Sequence, residues 1–132
     1  MFLRIFRAFS FPVFLFLFHI TIEYGFRLYG VFPWIDIPMH FLGGVAIAFT
    51  MVHLYFLLCE YKPGIKLPAL IFGFNIVAIV TFVAVGWELL EFAGDQLLGT
   101  RMQLSLPDTM GDLLLGMLGG LLGVLFFSQK RV

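Results

Sequence analysis

Gly86–Asp112 reads GWELLEFAGDQLLGTRMQLSLPDTMGD. Glu88, Glu91, Asp95, Asp108 and Asp112 fall inside it, five of the chain's eight acidic residues. The segments on either side are almost purely apolar. Carboxylates at the ends of long apolar segments are costly to place and usually need a partner or a task. The stretch therefore reads as one helix end, a short loop and the next helix start, with its acids gathered at one level of a bundle.

Composition supports that reading. The chain has 132 residues, 61% hydrophobic and 12% charged, with a mean hydropathy of +1.04. Soluble domains are about 45–50% apolar and about 25% charged, so the sequence predicts an integral membrane protein of one domain, 1–132. The formal net charge is zero, which leaves no basic surface for nucleic acid. The single cysteine, Cys59, excludes an internal disulfide and any multi-cysteine metal centre.

The pattern predicts an all-α, polytopic four-helix bundle with helices at about 5–29, 36–59, 68–97 and 108–127. The first segment has the basic start and apolar middle of a signal peptide, but no small-residue cleavage site follows it, so it is expected to be retained. Pro33 and Trp34 mark a break, Asp36 reads as an N-cap with Pro38 in the first turn, and Asp108 reads as a second N-cap. Four helices place both termini and the 60–67 turn on one side. That side carries Arg4, Arg7, Lys62, Lys66, Lys130 and Arg131, against Arg27 and Arg101 on the other. The positive-inside rule then makes both termini cytoplasmic and the protein a multi-pass protein of the inner (plasma) membrane.

This topology collects Glu23, Asp36, Glu88, Glu91, Asp95, Asp108 and Asp112 at the outer ends of the helices, leaving Glu60 inside. At about 100° per residue, Glu88, Glu91 and Asp95 share one face. So do Asp36 and His40, Asp108 and Asp112, and the stripe His19, Glu23, Arg27. Polar stripes facing lipid would be expensive, so all four should face inward, around a polar pocket open to the outer side. Gly116, Gly119, Gly120 and Gly123 on the last helix, and Gly43 and Gly44 on the second, fit close helix packing. They also fit a homodimer.

The ordered motifs Asp36-Ile-Pro-Met-His40-Phe-Leu-Gly-Gly, Glu88-Leu-Leu-Glu91 and Asp108-Thr-Met-Gly-Asp112-Leu-Leu-Leu-Gly116 resemble the YjdF-like inner-membrane proteins. They are also similar to VanZ-like proteins, a group linked to glycopeptide resistance, in which a Gly-x-Arg-like loop (here Gly99-Thr-Arg101) lies between the Glu-bearing and glycine-rich helices. The resemblance spans roughly 36–123. It implies an architecture and a site, not a reaction.

Three functions follow from the residues themselves. The first is a divalent-cation site for Mg²⁺, Mn²⁺, Ca²⁺ or Zn²⁺, built from Glu88, Glu91, Asp108, Asp112 and His40. Asp36 would orient His40, with Asp95 and Glu23 in support. Such a cation would hold a lipid-linked or phosphate-bearing ligand, with Arg27 or Arg101 on the phosphate. His40 and Glu91 would be the catalytic pair of a metal-dependent hydrolase or phosphatase. The second is proton- or ion-coupled transport. This is weakened by an inner half that offers only Thr50, His53, Asn75 and Thr81, with His53 and Asn75 at matching depth and expected to bond to each other. The third is structural: Glu23 pairs with Arg27 and Asp36 with His40, holding the bundle or a membrane partner together. No nucleophile elbow, phosphate loop, dinucleotide fingerprint or HExxH motif occurs.

Overall fold

The computed structural model describes residues 2–129 as four long helices with no strands among them. They are α1 (Phe2–Ile20), α2 (Asp36–Tyr61), α3 (Ala69–Leu98) and α4 (Leu106–Ser128). All four are long and apolar enough to cross a membrane, α1 together with the turn that extends it to Gly25. Lys130 and Arg131, which contributed to the predicted orientation, lie outside the described residues.

Side-chain register fixes the topology. Arg4 meets Glu60 at one end of α1–α2 (guanidinium Nη2 to carboxylate Oε1, 2.8 Å). Tyr55 packs on Phe72 in α2–α3, with ring centroids 4.4 Å apart. His40, Phe41 and Ala48 of α2 lie against Gly116, Gly119 and Gly123 of α4 in ascending order. Thus α1/α2, α2/α3 and α3/α4 run antiparallel and α2/α4 parallel. The 62–68 turn lies at the end where α1 starts and α4 stops.

The interior is built from small residues, and the large ones face outward. Ala46, Ala48, Val52 and Val80 are buried, whereas Leu70, Phe74 and Phe82 are fully turned out. This is the arrangement expected where lipid solvates the surface and helices gain by close backbone approach. The α2–α4 contact is the most extensive in the bundle, and glycine is obligatory there. A Cβ at Gly119 would stand 2.0 Å from the Phe41 carbonyl oxygen, and one at Gly44 2.0 Å from that of Gly116. At Gly120 it would meet Val80 of α3 at 2.8 Å, and at Gly123 it would meet Ala48 at 2.8 Å. The glycine stripe of α4 is thus used inside the chain, on two neighbours, and is not free to build a dimer face. Gly43 differs from the packing role read for it: a Cβ there would meet nothing within 4 Å.

α1 is attached by a different device. Pro12 sits inside it and has no N–H, so the carbonyl of Ala8 lacks its helical donor. The Thr50 hydroxyl of α2 donates to that carbonyl at 2.8 Å, with Ala8 fully buried and Thr50 2% exposed. The same hydroxyl lies 3.1 Å from the Ala46 carbonyl, which already has a helical donor in the Thr50 amide. The proton therefore belongs on Ala8. In a bilayer every freed backbone group needs such a partner.

Three boundaries differ from the sequence reading. The first helix does not run to 29. It loosens into a π-helical turn, Thr21–Gly25, and is released by a loop in which Arg27 has a left-handed φ of 53°. Asp36 does not cap α2, which is entered through a 3₁₀ turn at Pro33–Ile35 with no side-chain cap. Nor is Asp108 the N-cap of α4: the helix starts two residues earlier, at Leu106, with Pro107 in its first turn and Ser105 as cap. The Ser105 hydroxyl accepts from the Asp108 amide at 3.3 Å, and the Asp108 carboxylate accepts from the Leu104 amide at 3.3 Å. This is the reciprocal logic of a capping box, shifted by one residue on its return bond.

Candidate functional site

His40 occupies the centre of the acid-bearing end. It lies in the second turn of α2, one turn beyond Asp36, whose Oδ1 is 3.3 Å from His40 Nε2. Asp112 of α4 approaches the same nitrogen at 3.9 Å. On the other side of the ring, His40 Nδ1 is 3.7 Å from Glu88 Oε1 of α3. Glu91 completes the group. Two triads result, Asp36/His40/Asp112 and His40/Glu88/Glu91, and each offers three ligand atoms within 4.8 Å of one another. The approach of α4 to α2 is what brings Asp112 to His40, since a Cβ at Gly44 or Gly119 would run into the facing backbone and hold the helices apart.

Glu88, Glu91 and Asp112 are 6%, 8% and 5% exposed. Burial without compensation is expensive for an ionised carboxylate. Glu91 Oε1 accepts from the Trp87 indole at 2.7 Å. Glu88 Oε2 accepts from the Gln103 amide at 3.1 Å, and the same amide reaches the Glu88 carbonyl at 3.0 Å. Glu88 Oε1 is buried and has no hydrogen-bond partner. It is aimed at His40, at a distance too long for a hydrogen bond.

A second polar group borders the first. His19 Nδ1 and the Tyr29 hydroxyl lie 2.8 Å apart, and the His19 ring stands edge-on to Trp87 at 5.4 Å. Burial holds the Tyr29 phenol well above its ordinary pKa, and the carboxylates of Asp36, Glu23 and Glu91 add to this. The phenol thus stays a hydrogen-bond donor. His19 links α1 to α3 through Trp87.

The remaining sequence candidates fall elsewhere. Asp95 accepts from the Thr100 hydroxyl at 2.6 Å and the amides of Met102 and Gln103 at 2.8 and 3.0 Å. It ties the α3–α4 loop down and so presents Gln103 to Glu88. Asp108 serves the α4 start and joins neither triad. Arg27 and Arg101 are exposed, and neither forms an ion pair among the described residues. The expected Glu23–Arg27 pair is not made: only the Arg27 amide meets Glu23, at its carbonyl, and Glu23 Oε2 is buried without a partner. The turn of Arg27 into the left-handed region carries its side chain out of the helical stripe.

The other half of the bundle has no corresponding cluster among the described residues. His53 bonds the Phe49 carbonyl, Asn75 that of Ile71 and Thr81 that of Val77, each four residues back in its own helix. The expected His53–Asn75 bond is not present, because each side chain finds a nearer acceptor at home. Cys59 Sγ donates to the Ile65 carbonyl in the turn.

Trp87, Gln103 and Tyr29 were not read as site residues from the sequence. Trp87 could have been, since it lies one helical turn before Glu91. Nothing in the sequence singles out Gln103, whose position depends on how the loop folds over Asp95.

Compared with known families, residues 3–131 match the predicted membrane protein family DUF2238. The chain belongs to that family. It is the family that the YjdF-like resemblance named, and the match does not extend to the VanZ-like proteins. No curated protein and no solved structure matches the chain. The family thus agrees with the membrane reading, and the chemistry must be argued from the cluster itself.

Proposed function

We propose that the His40 cluster is a divalent-cation site, at the outer side of the inner membrane, that holds a lipid-linked or phosphate-bearing ligand. The observation that carries this is Glu88 Oε1: a buried carboxylate oxygen with no donor, facing an imidazole nitrogen and a second buried carboxylate. A cation between Glu88, Glu91 and His40 Nδ1 would satisfy that oxygen and neutralise both glutamates. Asp36, against Nε2, would then orient the ring as the outer carboxylate commonly found behind a ligating histidine. Two ligands at about 2.4 Å from Ca²⁺ lie up to about 5 Å apart, and at about 2.1 Å from Mg²⁺ up to about 4.2 Å. The three ligand atoms lie within 4.8 Å of one another, with Glu88 Oε1 and His40 Nδ1 3.7 Å apart, so the cluster falls in the range these ions span. An imidazole in the set favours Mn²⁺ or Zn²⁺ over Mg²⁺.

The cation would polarise a phosphoryl oxygen, and Asp112, outside that ligand set on the other side of His40, would be the carboxylate at hand as a base. Arg27 and Arg101 do not contribute to this reading, because neither faces the cluster. Transport is disfavoured by the polar side chains of the other half, which are bonded to their own helices and form no relay.

The test is thermal unfolding of the purified protein against Mn²⁺, Zn²⁺, Ca²⁺ and Mg²⁺. A cation at a hundred times its Kd adds about 2.7 kcal/mol. Glu88→Gln and Glu91→Gln should abolish the gain while leaving the apo protein as stable or more so. A wild type indifferent to all four ions removes the proposal. Release of phosphate from short-chain phosphatidic acid or an isoprenyl phosphate with Mn²⁺ separates a hydrolase from a binding protein.

A further inference from the structure

A cavity of about 300 Å³ opens beside the cluster, between α1, α2 and α3. Its polar end is formed by His19, Asp36 and His40, and its far end by Pro12, Ile47 and Val80. Register gives its length. Pro12 to His19 and Val80 to Trp87 each rise seven residues towards the polar end, about 10 Å at 1.5 Å per residue. Apart from the polar end and Trp87, its walls are apolar.

α1 packs on α2 and makes no backbone contact with α3 or α4. Among the described residues the ring contacts between α1 and α3 lie at the polar end, where Phe16 and His19 stand against Trp87 at 6.2 and 5.4 Å. Below them the cavity lies between two helices that make no backbone contact. Beyond its far end, the Ala8–Thr50 bond and the Phe11–Phe49 ring pair close α1 onto α2. Gly43 forms part of the wall on α2, and a Cβ there would meet no atom within 4 Å.

We infer that this cleft receives one hydrocarbon chain of a phosphate-bearing amphiphile, entering sideways from the bilayer between α1 and α3, with its headgroup at the His40 cluster. The inference rests on the cation site proposed above. Size favours one chain, because the volume stands at the lower limit of ligand pockets, about 300–1,000 Å³. Continuity favours an amphiphile, because one end of the same space is ionisable and the other apolar. Charge favours an anionic headgroup, because a bound cation would be the positive centre and the acids alone would repel it. A lipid with two chains would leave the second in the bilayer.

The experiment uses the full chain in phosphatidylcholine nanodiscs with Mn²⁺. The probe is a monoacyl phosphate carrying a photoreactive group near the end of its chain. Labelling should fall on α1 and α2 peptides around Pro12 and Ile47, and drop when EDTA removes the metal. Gly43→Leu builds into the cavity from a position where the added Cβ meets no atom within 4 Å. Displacing even two methylenes weakens binding about tenfold, so labelling should fall at least that far while the Mn²⁺-induced rise in melting temperature persists. Val83→Phe, which narrows the same space from α3, should act alike and guards against a local effect at Gly43. Labelling unchanged in both variants, or spread over lipid-facing positions such as Phe74 and Phe82, overturns the inference. So does a change of oligomeric state in Gly43→Leu, which would mean that a second copy fills the cleft. Absence of any Mn²⁺ effect on wild-type melting instead defeats the cation reading beneath it.

Discussion

Thr50→Val tests how α1 is held, and its outcome depends on a residue 38 positions away in sequence. Valine keeps the shape of threonine and removes the donor. The Ala8 carbonyl is then buried with no partner, because Pro12 supplies no amide. An unsatisfied buried acceptor costs roughly 1–3 kcal/mol, whereas side-chain hydrogen bonds between membrane helices average about 0.6 and reach about 1.7 kcal/mol. The lower average reflects groups that find another partner. Here Ala8 is 0% exposed and Thr50 2% exposed, so neither water nor a second donor is at hand, and about 1.5 kcal/mol is expected. Pro12→Ala restores an amide that can donate to Ala8. In that background Thr50→Val should cost about 0.5 kcal/mol or less, giving a coupling near 1 kcal/mol in a double-mutant cycle. The assay is reversible unfolding in mixed micelles, followed by helical circular dichroism. Equal losses in the two backgrounds would refute the argument, since the proline would then have no part in the bond.

Two further outcomes follow from the packing and the caps. Gly119→Ala puts a methyl 2.0 Å from the Phe41 carbonyl and 3.2 Å from the Val45 amide nitrogen, all backbone. It should destabilise strongly, while Gly43→Ala should be neutral or stabilise by about 0.5–1 kcal/mol through helix propensity alone; both are read from the same melting curves. Ser105→Ala removes the cap of α4 and should cost about 1 kcal/mol, measured as faster amide exchange at Asp108 and Thr109 with little change elsewhere.

The architecture was legible because it depends on quantities a sequence displays directly: four apolar runs of spanning length, separated by Pro, Gly and charge. The gathering of Asp36, His40, Glu88, Glu91 and Asp112 was legible for a related reason, since alternating helix direction places their ends at one level and periodicity places them on one face. What was not legible is what local backbone decides. A left-handed φ at Arg27 takes its guanidinium away from Glu23, and helical spacing cannot anticipate that. Asp36 and Asp108 look alike as caps, yet the 3₁₀ entry frees Asp36 for His40 while Ser105 takes the cap that Asp108 seemed to supply. Asp95 sits on the same helical arc as Glu88 and Glu91, but the loop folds back over Gly94 and claims its carboxylate.

The glycines and the acids belong to one argument. Close approach of α2 and α4 is a choice the chain has made with backbone against backbone, at Gly44, Gly116 and Gly119. Its consequence is that Asp112 is pressed towards His40 and two glutamates of α3, in a space with little water. Among the described residues no lysine or arginine pairs with them: Arg4 is taken by Glu60 at the other end, and Arg27 and Arg101 are exposed without an ion pair. Glu88→Gln therefore decides the matter by its sign. It should raise the stability of the metal-free protein by relieving repulsion around Glu91, and lower the stability of the protein in Mn²⁺ by removing a ligand. If the acids only hold the bundle together, the substitution destabilises in both conditions, because the bonds from Gln103 to Glu88 would be weakened with nothing gained.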